Sequence, residues 1–442
     1  MGGGDEGELG PPGARLMPGD LAGSRRGFLL VAAAFTTVMV GGLLPSPLYV
    51  IYQSRLHFST GILTVVFAVY AGGVLGALVL WGGLSDQVGR RVMMAAALVV
   101  AAASSAAFIA AQGLALLLVG RLLSGVSIGL ALATASAYLA ELDRSRASRV
   151  ATAASTGGLG LGSLIAGLVA QWVPQPTVVA FAVLLALVVV AGLGLMRAPE
   201  TVPSRPSARP GGPGSAGLLR PQLPALPSGR AWAFAPAALA AFSGFATFGL
   251  FASLAPSFLR HRLHDPSHAV AGAVVMAVFG AAAIVQSGVG EGGGPALIRW
   301  GAVLLPAGLG LVVAAVGISS VGALVGGAAI GGVAVGLLFS GGLSMANALS
   351  PPEQRAGVLA SFYIAAYLGV GLPPIGAGIA LDHVGTLPTT AAYAGVMSAL
   401  AGLAALGMRR GRGRGGPLLV RQGDARKRPP VRAASWSGTT CA

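Results

Sequence analysis

The sequence predicts an all-α membrane protein, with twelve transmembrane helices in two six-helix bundles. Three observations carry that expectation. The composition is 55% hydrophobic and 9% charged, with a mean hydropathy of +0.79, more apolar surface than a soluble core could cover. Twelve apolar runs recur, each of about 20 residues or more, enough at 1.5 Å rise per residue to cross a hydrocarbon core of roughly 30 Å. Basic residues fall on alternate connections between those runs, as they do when one set of loops stays in the cytoplasm.

The first six runs are Phe28–Val50, Gly61–Trp81, Val92–Ala111, Leu114–Ala140, Ala151–Ala170 and Thr177–Met196. The second six are Ala235–Phe258, Ala269–Gly290, Ala296–Val316, Val321–Leu349, Val358–Leu381 and Thr389–Met408. The tightest connections fall at Gly113 and at Ile318–Ser320. Residues 1–27 form a head, 28–196 and 231–408 the two bundles, 197–230 a linker and 409–442 a basic tail. The linker holds eight Pro, five Gly and five Arg and reads as loosely extended chain. The halves match in hydropathy without a strong sequence repeat.

Charge sets the orientation. With the N-terminus inside, the inner segments hold 24 basic residues and the outer ones three, Arg55, Arg260 and Arg262. Both termini are therefore expected in the cytoplasm, with the chain in the cell (inner) membrane. A net charge of +15 would point to nucleic acid in a soluble protein. Here it is assigned to the cytoplasmic flanks, and no nucleic-acid partner is expected. The pair Arg25-Arg26 ahead of an apolar stretch has the look of a twin-arginine export signal. No small-x-small cleavage site follows, so the arginines are read as anchors of the first span. The only cysteine, Cys441, lies in the tail, so no internal disulfide is possible and no thiolate metal site is suggested. No cofactor is expected.

Seventy glycines would unsettle a soluble helical protein, but in lipid they let helix backbones approach. Small-x-x-x-small pairs occur at Gly72/Gly76, Gly125/Gly129, Gly158/Gly162, Gly327/Gly331 and Gly332/Gly336. Pro45 and Pro47 mark a bend near the outer end of the first span, and Pro373 with Pro374 is expected to interrupt the eleventh.

Between the second and third runs the chain reads Gly82-Gly-Leu-Ser-Asp86-Gln-Val-Gly89-Arg90-Arg91, a charged turn in a chain with little charge. This pattern resembles the signature between the second and third helices of the major facilitator superfamily. The fourth span, Gly120-Arg121-Leu-Leu-Ser124-Gly125, is similar to the family's fourth-helix motif. The fifth, Gly158 to Gly167, resembles a degenerate form of the motif found in drug and metabolite exporters, with Ser163 where a proline is usual. The resemblance implies the family's fold, no enzymatic activity, and transport of a small solute by a chain expected to act as a monomer in the bilayer. It also implies a latch in which Asp86, with Gly82, Gly89, Arg90 and Arg91, meets the start of the eleventh span near Gly357–Val358 and favours the outward-open state. Gln87 stands where the family has a basic residue.

Arg121 is the one charge well inside an apolar run, and a guanidinium there costs from about 2.5 kcal/mol upward unless it faces protein or water. Substrate or coupling contact and a structural bond to neighbouring carbonyls are both open readings. No Asp or Glu lies mid-span; Glu141, Glu291 and Asp382 fall at ends, which leaves proton coupling undecided. His261-x-x-His264-Asp265-x-x-His268 has a spacing that could hold a metal, but a solvated loop is the plainer reading and no metal site is assigned. Phe242, Phe245, Phe248 and Phe251 drift around the seventh span, so that two of them at most line one cavity.

By family architecture the first, fourth, seventh and tenth spans line the cavity. Its candidate polar groups are Thr36 and Thr37, Ser124, Ser127 and Thr134, Thr247, and Ser340, Ser344 and Asn347. Tyr363, Tyr367 and Gln286 join them from the eleventh and eighth spans. Arg121, Ser124, Ser127, Phe245, Phe248, Asn347, Tyr363 and Tyr367 are the principal candidates for substrate or coupling. Such a cavity suits an amphipathic or anionic solute. Efflux of a partly hydrophobic compound is the favoured role, with uptake of a sugar or other metabolite the alternative. A membrane-embedded transferase would need paired carboxylates at a metal, and the chain offers Glu141 and Asp143 inside a basic loop.

Overall fold

The computed structural model describes residues 18–202, 224–227, 231–261, 263, 267–289 and 293–412. The linker interior, His264 and Asp265, Glu291 and the tail from residue 413 lie outside them. Twelve helices are long and apolar enough to cross a membrane, and there is no strand among the described residues. They are α1 Pro18–Leu43, α2 Thr60–Trp81, α3 Arg90–Ile109, α4 Leu114–Leu142, α5 Ala147–Trp172 and α6 Pro176–Leu195. The second set is α7 Ala231–His261, α8 His268–Gly288, α9 Gly294–Ile318, α10 Val321–Leu349, α11 Arg355–Val384 and α12 Thr386–Arg412. Successive helices alternate in direction, so α1 starts and α12 ends on one face, the near end; the opposite face is the far end.

Local chemistry sets the helix ends. Ser59, Ser267 and Ser320 cap α2, α8 and α10 by accepting the amide of the third helical residue. Pro176 opens α6 at a position where no donor is lost. The first apolar run does not continue to Val50 as one helix. α1 stops at Leu43, a turn carries Pro45 and Pro47, and a short helix, Tyr49–Leu56, follows. Neither proline has the amide donor that would have extended the helical ladder past Leu43. The eleventh span corrects the opposite expectation: α11 passes through Pro373 and Pro374 unbroken. Helices in lipid tolerate proline where packed neighbours hold the freed turn, and α7 and α9 likewise contain Pro236, Pro256 and Pro306.

The repeat that the sequence hides is plain in the packing. Within the first half α1 packs on α4, α5 and α6, α2 on α4, and α3 on α4 and α6. Within the second, α7 packs on α10, α11 and α12, α8 on α10, and α9 on α10 and α12. The halves meet through α2 against α11 and α5 against α8, a pairing that the repeat exchanges. Glycine carries the tightest crossings. A Cβ at Gly125 would fall on the Tyr70 carbonyl and lie 3.0 Å from the Gly73 Cα. Of the predicted pairs, Gly72/Gly76 is the exception, because both face open space and it is Gly73 that meets α4. Gly125→Ala should therefore lose most of the folded, monodisperse protein on size-exclusion chromatography, an overpacking cost of about 1–3 kcal/mol. Gly76→Leu should elute like the parent.

Candidate functional site

Arg121 lies on the second turn of α4, about 10 Å from the far end at 1.5 Å per residue, and is 0% exposed. Its Nη1 donates to the Gly42 carbonyl at 2.8 Å, where α1 approaches its end. The guanidinium carbon sits 4.8 Å from the Tyr70 ring centroid, 5.4 Å from Phe67 and 5.7 Å from Tyr49. Nε and Nη2 have no hydrogen-bond acceptor among the described residues, and the Tyr49 hydroxyl has no partner there either. Three desolvated cation–π contacts of about 2 kcal/mol each offset much of the burial. They do not supply acceptors, so the charge is held but not neutralised.

From this cation a chain of rings crosses the interface between the bundles. Tyr70 meets Tyr367 edge-on at 6.4 Å, and Tyr367 meets Phe245 at 5.6 Å. Phe245 touches Phe339 at 5.1 Å and Phe248 at 5.7 Å, and Phe248 stacks on Phe279 at 4.0 Å. Phe339 continues to Phe362 and Tyr363. The structure thus brings together five of the residues singled out from sequence: Arg121, Phe245, Phe248, Tyr363 and Tyr367. Tyr49, Phe67, Tyr70, Phe279, Phe339 and Phe362 complete the cluster. Their aromaticity alone gave no signal, because their partners lie on other helices.

Three other candidates lie elsewhere. Ser127 donates to the Ala97 carbonyl at 2.7 Å, toward α3. Ser124 lines a small void with Val38, Gly41, Ala101, Ser104, Phe181 and Leu184, inside the first bundle. Steps of three and six residues turn these two side chains about 60° and 120° away from Arg121 around α4. Asn347, in the last turn of α10, accepts from Arg355 at 3.0 and 3.2 Å at the near end. Thr36, Thr37, Thr134 and Thr247 each bond a carbonyl four residues back in their own helix. Gln286 faces the other bundle, where its Oε1 accepts from Thr156 at 2.7 Å. Thr156 lies in a π-helical turn, Ala153–Gly157, within α5.

At the far end the bundles are joined. Ser46 Oγ donates to the Ala252 carbonyl, Gly61 N to Asp382 and His268 N to Gln171. Residues 246–259 of α7 are buried throughout, whereas Thr36, Phe339, Ser344 and Tyr363 nearer the other end are half-buried. The structure is closed at the far end.

Comparison with known proteins fits this architecture. A sequence profile described as the Major Facilitator Superfamily matches residues 27–292. The chain belongs to the major facilitator superfamily. Membership points to a multi-pass membrane transporter of a small solute rather than to an enzyme. Among solved structures it is similar to the human organic anion transporter MFSD10 (TETRAN), at 19% identity and a TM-score of 0.61 over 86% of this chain and 99% of that one. No curated protein matches the sequence.

The superfamily turn at the near end is built from more residues than the motif names. Asp86, 64% exposed, pairs with Arg90 at 2.5 Å, and Arg90 also donates to Ser85 Oγ at 2.6 Å and to Glu141 at 3.1 Å. Glu200 accepts from the amides of Arg90 and Arg91 at 2.9 and 3.0 Å, which places a carboxylate on the positive start of α3. Arg91 reaches the Ala198 carbonyl at 3.4 Å, and Tyr138 holds the Pro199 carbonyl at 2.6 Å. In this state the ion pairs of the turn therefore stay within the first bundle and the start of its linker. Glu141 and Asp143 do not converge on a metal: Glu141 serves Arg90 and Thr201, while Asp143 accepts from Ser145 and pairs with Arg146. The Ser145 hydroxyl holds the Asp143 pKa below its ordinary value.

The two motif glycines differ. Gly82 has ordinary helical angles, φ −55° and ψ −32°, so its backbone conformation does not require glycine. Gly89 has φ +112°, and a Cβ on it would lie 2.8 Å from Glu200 Oε2. Gly89→Ala should lower the thermal unfolding midpoint and cut transport more than ten-fold, through about 1–2 kcal/mol of backbone strain and loss of the Glu200 cap. Gly82→Ala should stay within two-fold of the parent in the same two assays.

Proposed function

We propose that the chain exports a small, partly hydrophobic organic anion across the cell membrane by alternating access. The near end faces the cytoplasm in this reading, supported by the 24 basic residues expected on that side against three on the other. The observation that carries the solute class is Arg121: a fully buried guanidinium with two nitrogens lacking acceptors, at the head of an aromatic chain. A solute entering from the near end meets Phe339, Phe245 and Tyr367 first. Across about 10 Å at an effective dielectric near 20, the guanidinium attracts a carboxylate by about 2 kcal/mol and repels an amine by as much. When the far end opens, Tyr367 withdraws with the second bundle from the Tyr70 face of the cage, and the anion approaches Arg121 before release. MFSD10, whose fold is similar, is an organic anion transporter, in line with this solute class. The chain works as a monomer in this reading, and the half-buried cavity wall carries no mid-span carboxylate, so the driving ion is settled by experiment.

Purified protein in liposomes tests the reading directly. An aromatic carboxylate should be transported at least ten-fold faster than the amine of matched shape. Arg121→Gln should remove most of that preference and Arg121→Lys should keep part of it. Equal rates for both solutes, with Arg121→Gln unchanged, would overturn the assignment. Repeating the assay with and without a proton gradient establishes direction and coupling.

A further inference from the structure

α2 and α8 begin in the same way at the far end, although they belong to different bundles. Ser59 accepts from Ile62 N at 3.3 Å, and Ser267 accepts from Val270 N at 3.3 Å. Each serine satisfies one of the four amides that a helix start leaves open. A second oxygen, from the opposite bundle in each case, takes another amide of the same first turn. Asp382 Oδ2, near the end of α11, accepts from Gly61 N at 3.1 Å. Gln171 Oε1, near the end of α5, accepts from His268 N at 2.9 Å and from Ser267 Oγ at 3.2 Å. The fifth helix of each half thus caps the second helix of the other.

A glycine crossing underlies each cap. A Cβ at Gly378 would strike the Thr64 side chain and reach 3.1 Å from the Thr60 carbonyl. A Cβ at Gly167 would lie 3.1 Å from the Gly272 Cα. These crossings set how closely the far ends meet, and the cap atoms lie directly above them. Separating α2 from α11, or α5 from α8, at that end removes the foreign oxygen from the helix start. Because the repeat exchanges the two contacts, a rigid-body rotation of one bundle against the other breaks both.

We propose that Asp382 and Gln171 form the far-end latch of this carrier, a two-fold-related pair of cross-bundle helix caps that hold the closed state and release together. The inference rests on alternating access but on no particular solute. Removing a helix cap shifts an equilibrium about five-fold, so losing both shifts it about 25-fold. Asp382 adds a negative charge at a positive helix start, whereas Gln171 is neutral. Gln171→Glu should therefore tighten the latch.

Thiol labelling of the full chain in nanodiscs, without solute, tests this. In a Cys441→Ala background, Ala255→Cys reports the far-end seam from a site 1% exposed in this state. Ala348→Cys reports the near end from an exposed site. Asp382→Ala and Gln171→Ala should each raise maleimide labelling at position 255 about five-fold, and the double variant about 25-fold. Labelling at position 348 should stay level or fall. Gln171→Glu should slow labelling at 255. Unchanged labelling at 255 in the double variant overturns the latch. So does a rise at both reporters, which marks general loosening. Since no solute is present, failure of the latch is distinguishable from failure of the anion assignment, which the liposome assay reads separately.

Discussion

Helices in a bilayer gain nothing from hiding apolar surface against one another, because lipid chains are as apolar as leucine. What holds them is close backbone approach, and in this chain that approach depends on glycine. Inside the first bundle Gly73 and Gly125 bring α2 and α4 together in mid-membrane, with backbone on both sides of the contact. Gly327 and Gly308 do the same for α10 and α9. A helix locked this way cannot slide by less than a turn without driving side chains into the groove. In the proposed alternating-access cycle the bundles move as bodies, and the contacts that part are those where α2 meets α11 and α5 meets α8, glycine crossings at Gly378 and Gly167 included.

In the proposed reading, electrostatics decides what the chain carries. Arg121 is fixed on the first bundle, within the aromatic cage of Tyr49, Phe67 and Tyr70. The rings that continue from it, Tyr367, Phe245 and Phe339, belong to the second. The boundary between the bundles thus runs through a single aromatic stack with a cation at one end. Relative rotation changes the distance between the cation and the far rings without any side chain leaving its own helix.

Much of this was legible in the sequence wherever the signal is local. Twelve apolar runs give the twelve spans, because crossing a bilayer needs length and hydropathy and little else. Arg121 announced itself as a charge among apolar residues. Direction around a helix was harder to read. Ser124 and Ser127 share a helix with Arg121 but face the bundle interior and α3, and Gly72/Gly76 has the right spacing on the wrong face. Long-range partners were the least legible. Glu200 stands 110 residues from the amide it caps and Asp382 stands 321 from its own. Neither residue carries a periodic pattern that would tie it to a helix start.

Those two carboxylates do the same local chemistry with opposite consequences. Glu200 caps α3 at the near end, but both partners belong to the first half of the chain and the start of its linker, so the contact survives when the bundles separate there. Asp382 caps α2 at the far end from the other half, so that contact can exist only while the far end is closed. The same asymmetry holds for the neutral pair, since Gln171 reaches across to α8. Asp86, at the near end, meets Arg90 of its own bundle in this state. A cap within one body adds stability to both conformations alike, whereas a cap between bodies adds it to one. The placement of the capping oxygens, more than their chemistry, biases this chain toward the state closed at the far end.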